Sequence, residues 1–236
     1  MKYILATILF FITVKSHAQQ KFVVDENATV RTVAGSFNAV HVSSSIHLVL
    51  TKGDEEIIAV SASDATIKEN IKTEIEDGIL KIYYKGMYRS SYNKRMNVYV
   101  SYKTLNEIKA SDASNVLLAD KLSTSSLYIK VSDASTFKGE IITDTLLVKI
   151  SDASAVKLTG TAKECGIKCS DASTFSSCDF VATLADIIAS DASSISITAT
   201  AEINATARDA SSISYKGTAI IKKSLSQDAS SIRHVE

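Results

Sequence analysis

The chain has 236 residues, 26 basic and 26 acidic side chains, three cysteines, and no proline or tryptophan. A balanced charge argues against a broad nucleic-acid-binding surface, and the absence of proline excludes a rigid Pro-rich stalk. With 45% apolar residues the chain can bury a sizeable core.

The N-terminus reads as a cleavable export signal. Met1-Lys2-Tyr3 precedes an apolar run from Ile4 to Val14, and Ser16-His17-Ala18 offers a small-x-small site. A membrane anchor needs about 20 apolar residues, so a signal peptide over 1–18 is the better reading. Cleavage after Ala18 leaves 218 residues with 24 basic and 26 acidic side chains, net −2. No cysteine follows the signal directly and no second hydrophobic span exists, so no lipid anchor and no membrane span are expected after cleavage. The expected location is the periplasm, the outer-membrane surface or the extracellular space.

Residues 19–29 form a polar lead-in, and 30–104 read as an irregular β-rich opening. Alternation from Phe37 to Leu50 predicts two strands broken near Ser43–Ser45, followed by a turn at Gly53–Glu56 and a strand over Ile57–Ala62. Asp64 can cap a short helical turn reaching Ile71. Asp77-Gly78 between Thr73–Glu76 and Ile79–Tyr84 is a two-residue hairpin signal, and Met96–Tyr102 is a further strand.

From residue 105 to 236 the chain repeats. Asp-Ala-Ser recurs at Asp112, Asp133, Asp152, Asp171, Asp191, Asp209 and Asp228, at intervals of 21, 19, 19, 20, 18 and 19 residues. A fixed period of this length marks a solenoid. Position +4 from each Asp is always apolar: Val116, Phe137, Val156, Phe175, Ile195, Ile213, Ile232. Position −2 is apolar or small, and −4 is Ile or Val in the first five repeats. An unbroken strand would place the seven carboxylates on that same buried face, and burying an unpaired carboxylate costs several kcal/mol. The chain must therefore bend at Asp-Ala-Ser, where Asp tolerates left-handed dihedrals. Coils of about 19 residues then stack like positions in ladders, giving an all-β, parallel β-solenoid.

Phe37–Ile46, Thr51-Lys52-Gly53-Asp54, Glu76–Ile82 and the repeats together resemble the putative auto-transporter adhesin, head GIN domain family, over roughly residues 30–234. The family's repeats carry Ser-Gly-Ala-Ser, and this chain has Asp in place of that Gly. Both residues accept a positive-φ corner. The resemblance implies a right-handed parallel β-helix in an exported bacterial protein. It implies no activity.

Three groups of residues are candidates for function. The column Asp112, Asp133, Asp152, Asp171, Asp191, Asp209 and Asp228 is read as structural corners, with weak cation binding at the first five as the alternative, since calcium favours oxygen ligands. The serines at +2 are read as a hydrogen-bonded ladder. The stretch from Gly78 to Asn106 lacks acidic residues and holds six of the nine tyrosines. Within it Lys85, Tyr88, Arg89, Tyr92, Lys94 and Arg95 form the candidate ligand contact, because tyrosine can stack on sugar rings and Arg or Lys can hold anions. The competing reading is a basic surface loop whose alternate tyrosines pack in strands. Cys165 and Cys169 share a strand face roughly 13 Å apart, too far for a mutual disulfide, and read as buried spacers. Cys178 lies near the next turn, and a bridge to Cys165 is open in an oxidising compartment although no feature of the sequence indicates it. Neither His41 nor His47 belongs to a metal or triad motif.

The function read from sequence is an exported non-enzymatic solenoid, an adhesin or a cell-surface ligand-binding protein with a surface glycan or an envelope protein as partner. The alternatives are a structural or stress-regulatory envelope component and, less favoured, a polysaccharide-acting β-helix enzyme. No catalytic residue, cofactor or metal is expected. Unpaired strand edges at solenoid ends leave homo-oligomers open.

Overall fold

A computed structural model of the chain describes residues 25, 27–32, 34–86 and 95–236. The signal peptide, most of the polar lead-in, and Tyr88, Arg89, Tyr92 and Lys94 lie outside the described residues. The N-terminal part comprises β1 (Thr29–Arg31), β2 (Ala39–Val42), β3 (His47–Lys52), β4 (Ile57–Ala62), α1 (Ala65–Asn70), β5 (Ile71–Glu76), β6 (Ile79–Tyr84) and β7 (Met96–Tyr102). The repeats comprise β8 (Glu107–Ala110), β9 (Asn115–Leu118), β10 (Leu122–Val131), β11 (Thr136–Ile150), β12 (Ala155–Cys169), β13 (Thr174–Ala189), β14 (Ser194–Ala207), β15 (Ser212–Lys216), β16 (Ile220–Ser226) and β17 (Ser231–His234).

Strands of successive coils pair in parallel, so that Thr136 stands beside Ala155 and Leu146 beside Cys165, 19 residues on. The result is a β-solenoid. Within one coil, inward and outward residues alternate except where two neighbours both face out. In β11 this happens at Asp144-Thr145, with Phe137, Ile141, Leu146, Val148 and Ile150 buried on either side. Such breaks, together with the Asp-Ala corner, divide the coils into short flat sides. Residues at +4 from Asp112 to Asp209 are all buried, and they stack into one continuous core. The unequal repeat lengths are absorbed away from the corner. The 20-residue interval appears as a register shift between Val156 and Gly160 in the β12–β13 pairing.

At every repeat the corner uses two left-handed residues. The seven Asp have φ between 53° and 59°, and the seven Ala between 56° and 58°. Ser44 and Ser45, with φ of 72° and 58°, form an equivalent corner in the opening part. A left-handed Ala costs about 1–2 kcal/mol. The compensation is a backbone ladder: the Ala N–H donates to the Asp carbonyl of the next coil at 2.7–2.8 Å, from Ala113–Asp133 through Ala210–Asp228. The serine that follows turns inward and is buried from Ser114 to Ser211. In later coils its hydroxyl donates to the preceding coil, as in Ser173 to Ile150 O at 3.1 Å and Ser193 to Cys169 O at 3.0 Å. In earlier coils the hydroxyl accepts instead, as Ser154 does from Ser135 N at 3.1 Å. Because Ala153 is exposed and left-handed, Ala153→Gly is expected to leave stability within about 1 kcal/mol of the parent, while Ala153→Val loses about 2 kcal/mol. Urea denaturation of the two variants checks this.

The opening coils do not stack in chain order. β2 lies between β6 and β8, and β3 lies between β7 and β9, all in parallel register. After making the β2–β3 coil, the chain passes to its far side, builds β4 to β7, and then returns past it to start β8. On that far side β4 pairs antiparallel with β7, β1 with β4, and β5 with β6. The Asp77-Gly78 turn, with φ of 52° and 76°, joins β5 to β6. Asp64 caps α1 by accepting from Ile67 N at 2.8 Å, and Ile67 and Ile71 are buried. Antiparallel strands thus terminate the parallel stack at this end, an arrangement that suits edge protection.

Candidate functional site

The stacking order assembles a basic column that no single stretch of sequence contains. The outward position three residues before each corner is Lys109, Lys130, Lys149 and Lys168, which are register partners in successive coils. His41 stands beside Lys109 on one side and Lys81 on the other. Six cationic or titratable side chains therefore run single file along one side of the solenoid, at the coil spacing of about 4.8 Å. At that distance two unit charges in water repel by roughly 0.9 kcal/mol before screening. The core does not require this residue type, since the position faces solvent. Beyond Lys168 the column changes to Ile188 and Thr206.

Few carboxylates balance the column. Glu107 accepts from His41 Nε2 at 2.6 Å and pairs with Lys109 Nζ at 2.7 Å, and Lys81 pairs with Glu76. Burial tends to raise the Glu107 pKa, but hydrogen bonds from Lys109 and His41 outweigh it and hold the carboxyl below its ordinary value. Among the described residues, Lys130, Lys149 and Lys168 have no ion-pair partner.

Two further columns flank the basic one. On the corner side run Ser43, Ser111, Ser132, Ser151 and Ser170. On the other side stand Glu107, Tyr128, Leu147 and Gly166, which are register partners. The Tyr128 ring has Lys109 Nζ 5.9 Å and Lys149 Nζ 5.7 Å from its centroid. At the opening end this surface deepens into a groove of about 320 Å³, lined by Lys81, His41, Lys109, Lys130, Tyr83 and the first three of these serines, among others.

Lys85 and Arg95, from the tyrosine-rich stretch, are exposed at the two ends of the β6–β7 connection. β6 stacks on β2 and β7 on β3 in the neighbouring coil. Tyr83 lines the groove and donates to Glu74 Oε2 at 3.0 Å. Tyr102 is fully buried, so it belongs to the core rather than to any ligand surface.

The seven corner carboxylates are all exposed in single file. Among the described residues no three His, Cys, Asp or Glu side chains converge as metal ligands. Cys165 and Cys169 are buried thiols, each with its pKa pushed up to about 12 by burial, which makes them unreactive; Cys178 is exposed, and all three are free. His47 lies on the next side of the coil, beside Asn97 and Asn115. Among the described residues no helix is long and apolar enough to cross a membrane.

Comparisons with known proteins agree with this architecture. The structure is similar to that of a putative adhesin from Bacteroides fragilis NCTC 9343, with a TM-score of 0.81 and 21% identity, covering 89% of this chain and 98% of that one. A putative adhesin from Parabacteroides merdae ATCC 43184 superposes with a TM-score of 0.72 and 18% identity over 90% of this chain and 98% of the other. A protein named as a putative lipid binding protein, from Parabacteroides distasonis ATCC 8503, gives 0.68 and 19% over the same shares. At these identities the likeness shows the fold. No curated protein matches the chain. The sequence model of one family matches residues 36–219, which is well over half of the chain and includes the opening coils and six of the seven corners. The chain belongs to the family described as putative auto-transporter adhesin, head GIN domain.

Proposed function

We propose that the protein is an exported, non-enzymatic β-solenoid that binds an anionic glycan at the cell surface, in an adhesive role. The observation that carries this reading is the groove at the opening end. There Lys81, His41, Lys109 and Lys130 stand side by side with Ser43, Ser111 and Ser132. Cations bind carboxylates or sulfates, and serine hydroxyls exchange hydrogen bonds with sugar hydroxyls. Lys85 and Arg95 add positive charge at the roots of the tyrosine-rich connection. The corner carboxylates form a solvated column instead of converging on a reacting centre, which favours binding over catalysis. Family membership supports adhesion, and the signal-like N-terminus supports export.

A glycan-array screen of the chain from Gln19 onward, run with calcium and with chelator, tests the reading. Binding to acidic glycans is expected to weaken with salt and to ignore chelator. The double variant Lys81→Ala/Lys109→Ala is expected to lose about tenfold in affinity, the sum of two modest exposed ion contacts. Absence of binding to every acidic glycan would overturn the proposal and favour an envelope-scaffold role with a protein partner.

A further inference from the structure

We infer that the groove is one end of a longer track, and that the basic column recognises a linear acidic polysaccharide laid along the solenoid axis. This rests on the glycan-binding reading above and specifies the form of the ligand. The column spans six rungs, and five steps of about 4.8 Å make it roughly 24 Å long. Its residues repeat at the coil spacing, so they match a ligand whose charges also repeat along a line. Successive pyranose residues of an extended polysaccharide advance by close to one coil step. A carboxylate or sulfate on each sugar, or on alternate sugars, can then meet one lysine after another without either partner bending.

The flanking columns decide the class of polymer. The serine column runs parallel to the basic column for five rungs, from Ser43 beside His41 to Ser170 beside Lys168, with Tyr83 in the corresponding place beside Lys81. Beyond the serines, at the corner, run the exposed carboxylates of Asp112, Asp133, Asp152 and Asp171. This acidic ridge repels a wide polymer that carries charge across its whole breadth, such as a nucleic-acid duplex. A narrow chain that presents anions to one side and hydroxyls to the other fits between the ridge and the Tyr128–Leu147 flank. Tyr128 supplies an aromatic surface midway along the track, and Gly166 leaves the flank open beside Lys168. The distal cations Lys130, Lys149 and Lys168 have no ion-pair partner of their own among the described residues, so an incoming anion displaces only water and counterions. The column ends where Ile188 replaces lysine, which sets the length of ligand that the track can read.

The test measures affinity of the chain from Gln19 onward for oligosaccharides of two to ten sugars, at low and at physiological salt. One series is uronate-based, from polygalacturonate, and the other sulfated, from heparin. The stronger series identifies which anion the lysines hold. Affinity is expected to rise with length to about six sugars, one per rung, and then level off. Lys149→Ala/Lys168→Ala lies outside the groove. It is expected to weaken binding of an eight-sugar ligand about tenfold and flatten its salt dependence, while leaving a disaccharide unaffected. Lys138→Ala/Lys157→Ala, on the next side of the coil, is expected to change nothing. Length-independent binding, or a Lys149/Lys168 variant that binds the eight-sugar ligand like the parent, would overturn the track but leave the groove reading standing. Failure of every acidic oligosaccharide to bind the parent protein would overturn both. Equal or tighter binding of single-stranded nucleic acid would overturn the polysaccharide assignment. All these lysines are exposed, and coincident thermal melts confirm that the variants fold.

Discussion

Gly160→Ala is expected to destabilise the solenoid by about 3–5 kcal/mol, a large effect for the addition of one methyl group. Gly160 has φ of +108°, outside the regions that L side chains adopt. A Cβ there would lie 2.0 Å from the carbonyl oxygen of Ile141 and 2.9 Å from its carbonyl carbon. Both are backbone atoms of the adjacent coil, so no side-chain rotation relieves the overlap. Gly160 pairs with Ile141 below and Phe180 above, which means that moving it disturbs two rungs of the ladder. Gly217 stands at the same place in its own repeat, with φ of +96° and a projected Cβ 2.3 Å from Ala199 O. The control is Gly166→Ala, where the nearest atom is Leu147 Cδ1 at 3.1 Å, the end of a partly exposed side chain. That variant is expected to stay within about 1 kcal/mol of the parent. Parallel urea titrations compare the two. Equal midpoints for Gly160→Ala and Gly166→Ala would show that the bend is more tolerant than its geometry implies.

The bend at Asp-Ala-Ser is legible in the sequence because parity leaves no alternative: a straight strand would bury seven carboxylates. The second left-handed residue is not legible, because Ala has no preference for that conformation; the ladder between coils imposes it. The opening elements follow local signals, from the Asp64 cap to the Asp77-Gly78 turn, and these locate strands without saying which neighbour each will meet. Only three-dimensional pairing shows β2 inserted between β6 and β8, and that insertion brings His41 and Lys81 onto the lysine column. The column itself was half visible, as Lys-x-Ser-Asp-Ala-Ser at Lys109, Lys130, Lys149 and Lys168. Attention to buried positions passes over it, since outward residues carry no fold information. A run of basic and aromatic residues draws the eye to residues 81–95 instead. Of that run, Lys81 and Tyr83 line the groove, and Lys85 and Arg95 mark where the connection leaves and rejoins the stack.

Phe175→Ala is expected to cost about 3–5 kcal/mol, and its consequences should be confined to part of the molecule. Phe175 is fully buried on the core face of β13, in register with Val156 in one neighbouring coil and Ile195 in the other. Phe180 is buried on the same strand. In a solenoid each coil touches mainly its two neighbours, so the loss spreads along the axis only as far as those interfaces transmit it. Hydrogen exchange is expected to show reduced protection in β12 to β14 while β2, β3, β6 and β7 keep theirs. Lys168 rides on β12, one of the affected strands, whereas Lys81 on β6 and His41 on β2 ride on protected ones. The variant should therefore lose the gain in affinity that long acidic oligosaccharides show over short ones, and still bind a disaccharide in the groove. Simultaneous loss of protection in β2 through β9 would mean that the stack unfolds as one unit. The rigidity that keeps the cations at one spacing would then belong to the whole solenoid and not to each pair of coils.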